Sequence, residues 1–132
     1  MVIIGAGPGG YEAASVAAAG GVDVTVVEET GIGGAAVLTD CVPSKTLIAT
    51  AEVTSTLRRA AELGLRHTET FEVDLDAVNS RVRQLAQAQS DDISRGLERK
   101  GVRLISGRAR LATGAPGHLH RVVINDDETI DA

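Results

Sequence analysis

The stretch GGAAVLTDCVPSK, residues 33–45, holds the only cysteine of the sequence, Cys41, four residues before Lys45. A cysteine becomes a nucleophile or redox centre when a nearby cation or a helix N-terminus lowers its pKa. Disulfide exchange asks for more, because an attacking thiol needs a resolving partner. One cysteine cannot form an intrachain disulfide within this sequence, so chemistry at Cys41 is that of a lone thiol. A lone cysteine also serves as a small buried hydrophobe, and that is the expectation for Cys41. Lys45 reads either as a solvated helix lysine or as a charge beside a bound group. His67, His118 and His120 have no third ligand at metal-binding spacing and read as surface residues, so no metal site is expected.

A second constellation lies at the N-terminus. Gly5, Gly7 and Gly10 make G-x-G-x-x-G between the apolar run Val2-Ile3-Ile4 and an alanine-rich segment. The first glycine permits a tight turn, the second lets backbone approach a pyrophosphate, and the third lets helix and strand touch. The N-terminus of the following helix offers free amides and about half a positive charge to an anion. Pro8 suits the first helical turn, where its missing donor costs nothing. Eighteen residues after Gly10, Glu28 closes the run VDVTVV, where a carboxylate can accept from a ribose 2′-hydroxyl and repel a 2′-phosphate. The residues leave two readings open: a dinucleotide site, or a structural turn followed by a solvated Glu28-Glu29 pair. Strand, helix and strand in this order favour the first. The fingerprint alone does not separate FAD from NAD.

The elements that must carry these residues are those of an α/β protein. Val2–Ile4 and Val22–Val27 read as buried parallel strands, with a helix over Gly9–Ala19 between them that ends at Gly20-Gly21. A helix over Thr46–Leu63 is expected after a break at Pro43. Leu75, Val78, Val82, Leu85, Gln89, Ile93 and Leu97 recur at helical spacing, predicting a helix capped by Asp74, stopped by Gly101 and buried along that stripe. VRLIS, residues 102–106, predicts a third strand. RARLA and HRVVIN flank a turn at Gly114–Gly117, which predicts an antiparallel hairpin appended to the sheet.

Composition agrees. The 132 residues suffice for one domain or part of one, and 43% are hydrophobic, yet Tyr11 and Phe71 are the only aromatics, so the core must be aliphatic. The net charge of −5 and the scattered basic residues argue against a nucleic acid partner. No stretch approaches the roughly 20 apolar residues that span a bilayer, and no secretory leader is evident. Together with the single cysteine, this predicts a cytoplasmic protein.

Beyond Glu28 the sequence becomes more specific. GIGGAAVLTDCVPSK resembles the redox-active stretch of the class I flavoprotein disulfide reductases, the family of dihydrolipoamide dehydrogenase, whose members read G-G-T-C-x-N-x-G-C-x-P-S-K or close to it. The resemblance extends through VIIGAGPGGYEAA, VTVVEE and VRLISGRARL, nearly the whole chain. It implies a Rossmann-like FAD-binding fold. The implied FAD contacts are Gly5, Gly7, Pro8, Gly9 and Gly10 of the glycine loop, and Glu28. Gly33, Gly34, Ala35 and Ala36, then Cys41 and Lys45, and the backbone of Ala109 complete the set. It also assigns the first nucleotide site to FAD, with NAD(P)H as electron donor.

The departures matter as much. The family places two cysteines five residues apart; here the first position is Ala36 and the second Cys41. Asp40 stands for a small glycine and Leu38 for an asparagine. This pattern is most similar to the actinobacterial NAD(P)H:quinone reductases that lack the redox disulfide, which implies transfer from flavin to a quinone or similar small acceptor. A lipoamide dehydrogenase-like enzyme, a transhydrogenase-like enzyme and a non-catalytic nucleotide-binding module are the alternatives. By the same resemblance, residues 1–132 are the N-terminal part of an FAD-binding domain. The nicotinamide domain and the C-terminal interface domain through which the parent would form a homodimer are missing, and the part alone is expected to be inactive and marginally stable.

Overall fold

A computed structural model describes residues 1–66, 72–112, 120–125 and 127–132. The expected α/β architecture is present. In chain order the elements are β1 (Val2–Ile4), α1 (Pro8–Ala19), β2 (Thr25–Glu28), α2 (Gly34–Leu38), α3 (Cys41–Arg58), α4 (Leu75–Arg99), β3 (Arg103–Ser106), β4 (Ala109–Leu111), β5 (Arg121–Ile124) and β6 (Glu128–Asp131). A 3₁₀ turn over Ala60–Leu63 follows α3.

The β-branched runs pair as a parallel sheet in the order β1-β2-β3, with Ile3 opposite Val26 and Val26 opposite Leu104. Alternation along β2 sends Val26 to one face and Val27 to the other. Val26 joins Ala6, Ala14, Val24, Leu97 and Val102 in a core beneath α1 and α4. Val27 packs with Val122 and Ile124 of β5. The parallel sheet is therefore covered by helices on one side and by strands on the other.

The expected antiparallel hairpin is present as β4 and β5, but it is not appended to the parallel sheet. β4, β5 and β6 form their own antiparallel sheet, in that order, rather than extending the parallel one. Only Gly107 and Arg108 separate β3 from β4. Gly107 adopts φ +158°, and a Cβ there would meet the Asn125 side chain at 2.5 Å. Asn125 itself, at φ +49°, exchanges bonds with Arg108: its amide donates to the Arg108 carbonyl at 2.9 Å, and its Oδ1 accepts from the Arg108 amide at 3.0 Å. The chain thus turns sharply out of the parallel sheet and starts a new layer. The tail enters that layer as β6, tied by Arg121 Nε to Asp131 Oδ1 at 2.9 Å. The turn expected at Gly114–Gly117 lies outside the described residues.

Three further boundaries differ from expectation. β2 begins at Thr25 instead of Val22, because the Val22 amide donates to the Ala17 carbonyl and closes the end of α1. α3 begins at Cys41 and runs through Pro43, which falls in the first turn where its missing donor has no intrahelical partner to lose. It stops at Arg58, not Leu63. Thr46, Thr50 and Thr54 each donate a hydroxyl to the carbonyl four residues earlier, at 2.9–3.0 Å.

α4 forms as predicted, with Asp74 accepting from the Ala77 amide at 2.9 Å and Gly101 at φ +79° beyond its end. Its buried line, however, is rotated. Leu75 and Leu85 are exposed and Ala86, Ser90 and Leu97 are buried. Small residues are what the helix can bury where the loop after β2 crosses it. There Ser90 Oγ donates to the Ile32 carbonyl at 2.6 Å, across 58 residues of sequence. Ser90→Ala is expected to cost about 1 kcal/mol of stability by taking that donor from a carbonyl it cannot replace. A denaturation midpoint lowered at constant m-value checks it; an unchanged midpoint would show that the loop holds itself.

Candidate functional site

The carboxyl ends of the parallel strands, where open α/β sheets bind ligands, converge on the glycine loop. Gly5, at φ +94°, leaves β1 and donates its amide to the Val27 carbonyl at 2.8 Å. Gly7, extended, is the N-cap of α1, and Pro8 is its first residue. The amides of Gly9 and Gly10 fall in that first turn, where no intrahelical carbonyl reaches them. A Cβ built on Gly7 or Gly9 meets nothing within 4 Å, so the backbone there lies open to a ligand. A Cβ on Gly10 would overlap the Gly5 carbonyl oxygen, with the carbonyl carbon at 3.0 Å. Helix and strand touch at that point.

A second loop leans on the first. The Gly33 amide donates to the Ala6 carbonyl at 2.8 Å, and a Cβ on Gly34 would come within 3.0 Å of Gly7 Cα. Ala35 closes the short helix α2: its carbonyl accepts from the amides of Thr39 at 3.0 Å and Asp40 at 2.8 Å. This turn delivers the chain to Cys41 at the start of α3.

Glu28, at the end of β2, bridges the two loops. Its Oε2 accepts from the Ala6 amide at 2.6 Å; its Oε1 accepts from the Thr30 amide and the Thr30 hydroxyl, both at 2.8 Å, and from the Gly31 amide at 3.3 Å. Burial opposes the charged form, but the hydrogen bonds from Ala6, Thr30 and Gly31 together outweigh it and hold the carboxyl below the ordinary glutamate value. The stabilisation this charge supplies is accordingly full above the ordinary glutamate pKa and lost as pH falls through the depressed one. Glu28 lines two adjoining cavities. One, of 260 Å³, runs along Glu28–Ile32 and Leu104–Ser106; the other, of 270 Å³, is bounded by Ile4, Gly5, Gly107, Arg108 and Ala109.

This arrangement of strand ends, glycine loop and acidic residue has relatives. The family model described as pyridine nucleotide-disulphide oxidoreductase matches residues 1–131. The chain belongs to that family. Over 121 residues it is 48% identical to an NAD(P)H dehydrogenase (quinone) of Mycobacterium tuberculosis, covering 89% of this chain and 24% of the relative. A dihydrolipoyl dehydrogenase of Chlamydia muridarum is 36% identical over 110 residues, covering 83% of this chain and 23% of that one. Among solved structures, LpdA from Mycobacterium tuberculosis superposes with a TM-score of 0.85 at 44% identity, covering 99% of this chain and 29% of that one. The chain thus spans about a quarter of the length of the curated relatives it matches.

The dehydrogenases of this pyridine nucleotide-disulphide oxidoreductase family are flavoproteins that use FAD and NAD(P)H. The residues present fit a dinucleotide: open backbone at Gly7 and Gly9, first-turn amides, and a carboxylate kept ionised beside two cavities. Of the residues singled out in the sequence, Gly5, Glu28 and Ala109 line one cavity, and Gly7, Gly33 and Gly34 meet where the two loops cross.

Cys41 and Lys45 stand on α3, outside the lining of both cavities. Cys41 is exposed, which corrects the expectation of a buried hydrophobe. The reason is local: α3 buries no residue at all along its length, and Cys41 is its first. Lys45, one turn on, is exposed as well, and Ala36 is half-buried in α2. Ala6, Thr30 and Gly31 were missed. The signal for Thr30 and Gly31 lay in the sequence EETG, where a hydroxyl and a glycine follow a strand-ending carboxylate as they do in side-chain-to-backbone turns. His120 is exposed, while His67 and His118 lie outside the described residues. Among the described residues no group of His, Cys, Asp and Glu could hold a metal ion, and no helix is long and apolar enough to cross a membrane.

Proposed function

We propose that this chain is the N-terminal, FAD-binding part of an NAD(P)H-dependent flavoprotein that reduces quinones or similar small acceptors without a redox-active disulfide. The observation that carries this reading is Ala36, five residues before the only cysteine of the sequence, in the position the disulfide reductases give to a second sulfur. The 48% identity to a quinone-reducing dehydrogenase supports it. When bound, FAD supplies the electron chemistry itself.

The chain's own residues bind and orient. The open backbone at Gly7 and Gly9 and the first-turn amides of α1 take a pyrophosphate, and Glu28 accepts from the adenosine ribose. By the family resemblance, Gly33 to Ala36 and, from α3, Cys41 and Lys45 would contact the flavin. With an alanine at position 36, Cys41 cannot exchange disulfides with a dithiol substrate inside this stretch. A lipoamide-reducing reading draws on the dihydrolipoyl dehydrogenase relatives and requires a second sulfur these residues lack. Nicotinamide binding, a homodimer interface and turnover belong to segments beyond this chain, in a cytoplasmic parent protein.

Glu28→Gln is expected to weaken FAD retention by about 1–3 kcal/mol, because a neutral amide accepts less strongly than a carboxylate. Glu29→Gln, one residue past the end of β2, is expected to change little. Flavin content after dialysis reads both. The functional proposal as a whole is tested by the flavin absorption spectrum of the full protein: bleaching on adding NADH or NADPH supports it, and a colourless protein that takes up no FAD contradicts it.

A further inference from the structure

A carboxylate can accept about four hydrogen bonds, two at each oxygen. In Glu28 these places are unequally filled. Oε1 takes three donors, the Thr30 amide, the Thr30 hydroxyl and the Gly31 amide, whereas Oε2 takes only the Ala6 amide. The acceptor site left for a ligand is therefore on Oε2. Two of the three contacts that saturate Oε1 come from Thr30, whose side chain is exposed and lines both cavities with Glu28.

We infer that Thr30 is a positioning residue for nucleotide recognition: its hydroxyl and amide lock the Glu28 carboxylate so that Oε2 alone faces a ribose hydroxyl. This rests on the placement of an adenine dinucleotide at the glycine loop and goes beyond it by naming what orients the carboxylate. Without the hydroxyl, Oε1 keeps two backbone donors but loses its only side-chain donor, so the carboxylate is held less firmly. The ordering would then have to come from the ligand, at a cost in affinity. Thr30 touches no ligand in this scheme and acts only through Glu28.

The ligand's own hydroxyl separates this role from a merely structural one. In the full flavoprotein stripped of its flavin, ADP and 2′-deoxy-ADP are titrated by calorimetry against wild type, Thr30→Val, Thr30→Ser and Glu28→Gln. Thr30→Val is expected to weaken ADP about tenfold and 2′-deoxy-ADP by less than about twofold, the size of one charge-assisted hydrogen bond. Thr30→Ser, which keeps the donor, is expected to bind both as wild type does. Equal loss for both nucleotides in Thr30→Val, or no loss for either, overturns the positioning role while Glu28→Gln still weakens ADP. If Glu28→Gln binds ADP as tightly as wild type, the ribose contact itself is wrong and the role of Thr30 falls with it.

Discussion

Gly10→Ala is expected to prevent the glycine loop from closing and to cost at least about 3 kcal/mol of stability. The added Cβ overlaps the Gly5 carbonyl, a backbone group fixed by the Gly5 amide bond to Val27. No flexible side chain can give way, so relief requires lifting α1 from β1 and opening the core around Ala6 and Ala14. Gly9→Ala is the control. Its Cβ meets open space, and alanine gains about 1 kcal/mol over glycine inside a helix. Chemical denaturation of the two variants checks the contrast, and equal stability would show that the contact at Gly10 yields more easily than its geometry suggests.

Cys41→Ser in the full protein is expected to leave quinone reduction within about tenfold of wild type. A planar quinone accepts electrons from a reduced cofactor without a protein thiol, and the protein's share is to position and insulate. Cys41 stands exposed at the start of a helix that buries no residue, with no second cysteine in the sequence. A loss above about a hundredfold, nearly 3 kcal/mol of barrier, would make the lone thiol catalytic. Steady-state quinone assays on wild type and Cys41→Ser decide between these outcomes.

The βαβ unit and its glycine loop were legible because each residue type there answers one local demand: Gly5 a positive φ, Gly10 a close approach, Pro8 a first helical turn. Asp74 and Gly101 marked the ends of α4 for the same reason. What could not be read was set by distant partners. The buried line of α4 passes through Ala86 and Ser90 because Ile32 arrives there from a loop 58 residues away, and hydrophobic spacing carries no trace of that. The antiparallel strands stack on the parallel sheet because Gly107 and Asn125 turn the chain between layers, which alternation alone cannot reveal. Cys41 was expected inside on the habits of its type; the absence of any buried side chain along α3 puts it outside.

The claim that electrons leave without a protein dithiol is tested most directly by offering the full wild-type protein a quinone and oxidised lipoamide side by side, with NADH and with NADPH. Steady oxidation of the nicotinamide is expected with the quinone, and negligible turnover with lipoamide. Lipoamide turnover comparable to that with quinone would contradict it.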